Sequence, residues 1–108
     1  MTTFDERQKG FEKKFALDQD LKFRSESRRN KMIAEWAAAK LGITGPALED
    51  YIKAVRRADL EEKGDDDVFR KIRGDLDAKS IAVSATEIRE AMFRFLEQAV
   101  EQVQNDTK

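Results

Sequence analysis

Neither cysteine nor histidine occurs among the 108 residues, and proline occurs once. Without cysteine the chain has no disulfide framework and no thiolate zinc site. Without histidine it lacks the commonest general base, the commonest metal ligand and the side chain that titrates nearest neutral pH. Five glycines, one tryptophan and one tyrosine complete the scarce residues, and the β-branched side chains are scattered instead of alternating. Little in the sequence therefore interrupts a helix or builds a strand. No apolar run approaches the roughly 18 residues that cross a bilayer. The N-terminal stretch MTTFDERQKGFEKK has no apolar core of the kind a secretion signal needs. The expectation is a cytoplasmic protein with no direct insertion into a membrane.

What the chain does have is charge and apolar surface in equal measure, 40% each, with a net charge of -1. A disordered chain is poorer in apolar residues, and an ordinary enzyme is poorer in charge. A near-zero net charge argues against a nucleic-acid protein that works through a global positive potential. The length suits one modest core. The expected fold class is all-α, a four-helix bundle over residues 19–108 preceded by a weakly ordered, helix-competent arm over residues 1–18.

Thr3 and Glu6 have capping-box spacing, so a helix can begin in the arm. Phe4, Phe11 and Phe15 fall within about 40° of one another on a helical wheel. Gly10 lies among them and costs about 0.5 to 1 kcal/mol relative to alanine in a helix interior. The first bundle helix is expected from Gln19 to Leu41, with Met32, Ile33, Trp36 and Ala37 on its buried face and Gly42 as its stop. The second should follow Thr44, Gly45 and Pro46, bury Leu48, Tyr51, Ile52, Val55 and Ala58, and close at Gly64. Asp65, Asp66 and Asp67 are candidate caps for a third, whose apolar side is Val68, Phe69, Ile72 and Leu76. Ser84 and Glu87 repeat the capping-box spacing ahead of a fourth, with Ile88, Met92, Phe95, Leu96, Ala99 and Val103 in one stripe. Residues 1–31 carry nine basic and six acidic groups and residues 32–108 twelve and sixteen, so the net charge conceals +3 and -4.

Catalytic motifs are missing: there is no phosphate-cradling glycine loop, no nucleophile elbow and no nucleophile with a histidine partner. The aspartate run lacks the alternating ligand spacing of a calcium loop. No metal, no required cofactor and no enzymatic activity are expected, and a hydrolase is the weakest option. Two binding patterns remain. The basic run Arg24, Arg28, Arg29 and Lys31 is the best candidate for an anion contact, and Arg28 and Arg29, with Trp36 and Lys40 further along the same helix, are candidate contacts for ADP or ATP, which would make the bundle a nucleotide sensor. Alternatively Arg29 and Lys40 mark the two ends of the helix's buried stretch. In the arm, Phe4, Phe11 and Phe15 are candidate anchors for a groove on a protein partner, with Asp5, Arg7, Lys13 and Lys14 fixing orientation.

The chain resembles the zeta-subunit family, natural inhibitors of the F-type ATP synthase of alphaproteobacteria. The resemblance lies in Phe4, Arg7, Glu12, Phe15, Ala16 and Asp18, in Phe23, and in RRNKMIAEWAA from Arg28 to Ala38. It continues through Leu41, Gly42, Tyr51 and GDDDVFRKIRGDL from Gly64 to Leu76, and departs from the family pattern at Gly10 and Ala34. It implies a four-helix bundle whose N-terminal arm enters an interface between the α and β subunits of the F1 sector and reaches the γ shaft. Phe4, Phe11 and Phe15 would anchor the arm, and Arg7, Lys13, Lys14 and acidic residues such as Asp5 and Glu12 would make its polar contacts. A monomer when free, peripheral to the inner membrane through the ATP synthase, is the implied state.

Overall fold

In a computed structural model, residues 19–60 and 65–106 can be described. They form four α-helices: α1 Gln19–Leu41, α2 Pro46–Ala58, α3 Asp66–Ala78 and α4 Ala85–Asp106. The chain is all-α, a four-helix bundle, with no strand among the described residues. The N-terminal arm, its phenylalanines and the Thr3 cap lie outside them. No helix among them is long and apolar enough to cross a membrane.

The stops and starts follow local chemistry. Gly42 sits at φ 75 in the left-handed region, and the Ile43 amide donates back to the Ala38 carbonyl at 2.9 Å. This six-to-one bond satisfies one of the carbonyls that a helix end leaves orphaned. Gly45, at φ 63, then turns the chain so that Pro46 enters the first turn of α2. The Ser84 hydroxyl accepts from the Glu87 amide at 3.1 Å, as the capping spacing predicts for α4. Helix α3 ends on a left-handed residue that is not glycine: Ser80, at φ 57, with Ile81 donating to the Leu76 carbonyl at 2.9 Å.

Helix α1 runs about 34 Å, and the other three helices pack against it, α4 most extensively. Ile33, Val55, Val68, Ile72, Leu76 and Ile88 are at most 1% exposed and join all four helices in one cluster. Trp36, Leu48 and Phe69 pack on its margin.

Three expectations about faces and ends need correction. Helix α2 stops at Ala58 with Asp59 as its C-cap, before Gly64, which lies outside the described residues. On α1 the buried face is rotated from the Met32 and Trp36 line, which is only half-buried, toward Ile33 and Ala37 and the adjoining row Asn30, Ala34 and Ala38. On α4, Ala91, Phe93 and Val100 are buried while Phe95 and Leu96 are half-exposed. On α1 the small side chains Ala34, Ala37 and Ala38 extend the contact face, because alanine lets a neighbouring helix approach closely.

Candidate functional site

The buried face of α1 continues toward its N-terminus in polar residues. Ser25 and Arg29 stand four residues apart in line with Ile33 and Ala37, and Asn30 continues the row of Ala34 and Ala38. A buried arginine needs partners, since an isolated charge is costly to remove from water. Arg29, 1% exposed, donates from Nε to Asn30 Oδ1 at 2.8 Å. Its two terminal nitrogens lie 3.9 Å from Asp59 and 3.6 Å from Asp65. Asn30 in turn donates to Asp59 at 2.8 Å. The hub reaches α4 through Asp65, 3.4 Å from Arg89, which also grips Asp66 at 2.8 Å and lies 4.0 Å over the Phe69 ring.

This arrangement corrects the expected role of the aspartate run. Asp65 occupies the cap position of α3 but makes no side-chain capping hydrogen bond. Its carboxylate is spent on Arg29 and Arg89, while Asp67 is buried and accepts from the Val68 amide at 2.8 Å. At the hub's edge, burial lifts the Glu26 carboxyl above its ordinary value of 4.5, opposed by Arg29 and Lys22 and reinforced by Asp59 and Asp65. The Ser25 hydroxyl and one Arg29 terminal nitrogen are buried without a hydrogen-bond partner.

Arg28, the neighbour of Arg29, turns to a different surface. It holds Asp106 at 2.9 Å and Gln102 at 3.4 Å near the end of α4. There it lines a groove of about 650 Å³ between α1, Arg56 of α2 and Gln102 of α4. Phe23, Arg24, Lys31 and Glu35 complete its chemically distinctive lining. Trp36 and Lys40 lie apart from it, the Lys40 ammonium 4.8 Å from the centre of the indole ring.

The four residues singled out in the sequence as nucleotide contacts are thus distributed. Arg28 is in the groove, Arg29 in the interior against carboxylates, and Trp36 with Lys40 forms a separate cation–ring pair. The expectation that Arg29 and Lys40 mark the two ends of the buried stretch of α1 needs correction, since the stretch runs from Ser25 to Ala38, with Arg29 inside it and Lys40 beyond its C-terminal end. Phe4, Asp5, Arg7, Phe11, Glu12, Lys13, Lys14 and Phe15 lie outside the described residues. Sequence reasoning passed over Asn30, Asp59 and Arg56, whereas Lys31 belongs to the basic run Arg24, Arg28, Arg29 and Lys31. Lys31 had a signal, since Arg24, Arg28 and Lys31 follow helical spacing; Asp59 and Arg56 had none, because only the fold brings them to α1. Among the described residues no group of three or more His, Cys, Asp or Glu side chains is placed to hold a metal ion.

Comparison with known families gives a match over most of the chain. The family model described as ATPase inhibitor subunit zeta matches residues 1–102, which include the arm and nearly all of the bundle. No curated protein matches the chain.

Proposed function

The chain belongs to the ATPase inhibitor subunit zeta family, and from that premise we propose how it inhibits an F-type ATP synthase. Residues 1–18 enter a catalytic interface between an α and a β subunit near the γ shaft and block rotation in the hydrolysis direction. The observation that carries this reading is the extent of the family match, which begins at residue 1 and so includes the arm with the bundle. Among the described residues the core cluster runs from Ile33 to Met92 and joins all four helices of the bundle.

The physical basis of inhibition is steric. A catalytic interface that opens and closes with each rotary step is held when a helix is packed in its closed form, and no chemistry by the inhibitor is required. Phe4, Phe11 and Phe15 supply the apolar anchors, and Asp5, Arg7, Glu12, Lys13 and Lys14 supply charges that set register against the partner. A helix that orders on contact surrenders about 2 to 5 kcal/mol of the gross contact energy. Three aromatic anchors are a reasonable means of covering that cost. If one rotary state accepts the arm, rotation in the opposite sense expels it, which makes the block directional.

Deletion of residues 2–17 tests the reading. The expected result is a folded bundle, read by circular dichroism and cooperative melting, that no longer slows ATP hydrolysis by the F1 sector. Retained inhibition would overturn it.

A further inference from the structure

The positive charge of the N-terminal third belongs to α1 and not to the arm. In residues 1–18, Asp5, Glu6, Glu12 and Asp18 balance Arg7, Lys9, Lys13 and Lys14, so the excess begins with Lys22. Arg24, Arg28 and Lys31 follow at helical spacing and line one groove with Arg56, against the single lining carboxylate Glu35. Arg24 and Arg28 have partners at the rim, Asp20 at 3.7 Å and Asp106 at 2.9 Å. Lys31 and Arg56 are exposed and have no ion-pair partner among the described residues. At the lip stands Phe23, 71% exposed, a large apolar ring left in water beside a cationic slot.

The groove's position points to its occupant. Phe23 lies four residues and Lys31 twelve residues beyond Gln19, where the bundle begins, which is about 6 to 18 Å along the axis of α1. A partner that holds the arm therefore has its surface beside this groove. We propose that the groove binds an acidic polypeptide segment of the same ATPase, with carboxylates against Lys31, Arg56 and Arg28 and an apolar side chain against Phe23. The proposal rests on the inhibitor reading above for the identity of the partner. Its physical role is affinity: a second contact joined to the arm by a short stretch of chain meets its target at high effective concentration and adds strength without taking part in the block. The charge contacts also accelerate encounter and weaken with salt.

The test uses the full chain carrying Lys31→Glu with Arg56→Glu, two exposed positions outside the core. The control carries Lys53→Glu with Lys79→Glu, an equal change of net charge on exposed positions elsewhere. The groove variant should need about tenfold more protein for half-maximal inhibition of F1 hydrolysis at low salt, and should reach the same maximal inhibition. Its deficit should shrink as salt is raised. An equal shift in the control, or loss of maximal inhibition in the groove variant, would overturn the proposal. So would unchanged potency toward F1 combined with lost binding to phosphatidylglycerol vesicles, which would assign the groove to a lipid surface. Co-sedimentation with F1 reads the groove independently of inhibition. Failure of the arm reading, seen when the deletion of residues 2–17 still inhibits, is thereby distinct from failure of the groove.

Discussion

The Asn30 side-chain amide donates to the Asp59 carboxylate at 2.8 Å, joining residues 29 positions apart. The contact ties the middle of α1 to the end of α2 and completes the surroundings of the buried Arg29. The RRN segment that carries much of the family resemblance is therefore divided in its work. Arg28 faces the groove, while Arg29 and Asn30 hold the bundle together.

Replacing Arg29 by methionine leaves Asp59 and Asp65 without their interior cation. Removal of one member of a buried charged cluster costs about 3 kcal/mol. Urea denaturation should show a loss of that order. A double-mutant cycle with Asn30→Ala should give a coupling energy of at least about 0.5 kcal/mol, since the two side chains share Asp59.

Glu26 makes stability depend on pH in a defined direction. Burial favours its neutral form, so the folded chain keeps the proton to a higher pH than the unfolded chain does. Protonation therefore favours folding. The stability from this group is lost as pH rises from the ordinary value of 4.5 through the raised folded one. Glu26→Gln should exceed the parent in denaturation midpoint at neutral pH, with the difference vanishing near about pH 4.

Tyr51 donates its hydroxyl proton to Asp75 at 2.8 Å, an oxygen that Lys71 also approaches at 3.0 Å, and so links α2 to α3. Burial and this bond raise the phenol well above its ordinary 10.0. Tyr51→Phe should cost about 1 kcal/mol, a fall in Tm of roughly 4–8 °C. It should also remove the part of the stability decline above about pH 10 that follows from ionisation of this hydroxyl on unfolding.

Ser80 occupies the left-handed position that closes α3. A side chain there crowds the backbone, and glycine does not. Ser80→Gly should raise stability by about 0.5 to 1 kcal/mol in the same assay.

Helices were legible wherever one local signal sufficed. Leu41 before Gly42, Pro46 after Gly45 and Ala85 after Ser84 are element ends that the neighbouring residues determine by themselves. The face of α1 was less legible, because its first half buries Ser25, Arg29 and Asn30, which periodicity of apolar residues cannot detect. The candidate site divides in the same way. The aromatic spacing of the arm is written in seven- and four-residue steps, whereas the groove needs Arg56 and Gln102 from two other helices.

By itself the sequence determined an all-helical chain and the limits of most helices, because these follow from contacts no more than four residues apart, and it showed a near-zero net charge divided into +3 over residues 1–31 and -4 over residues 32–108. Only the tertiary structure decided which arginine was interior and which faced water. Arg28 and Arg29 are the same residue type side by side, but a step of 100° around the helix turns one toward Asp106 and the other toward Asp59 and Asp65. Carboxylates from distant parts of the chain make the interior position tenable.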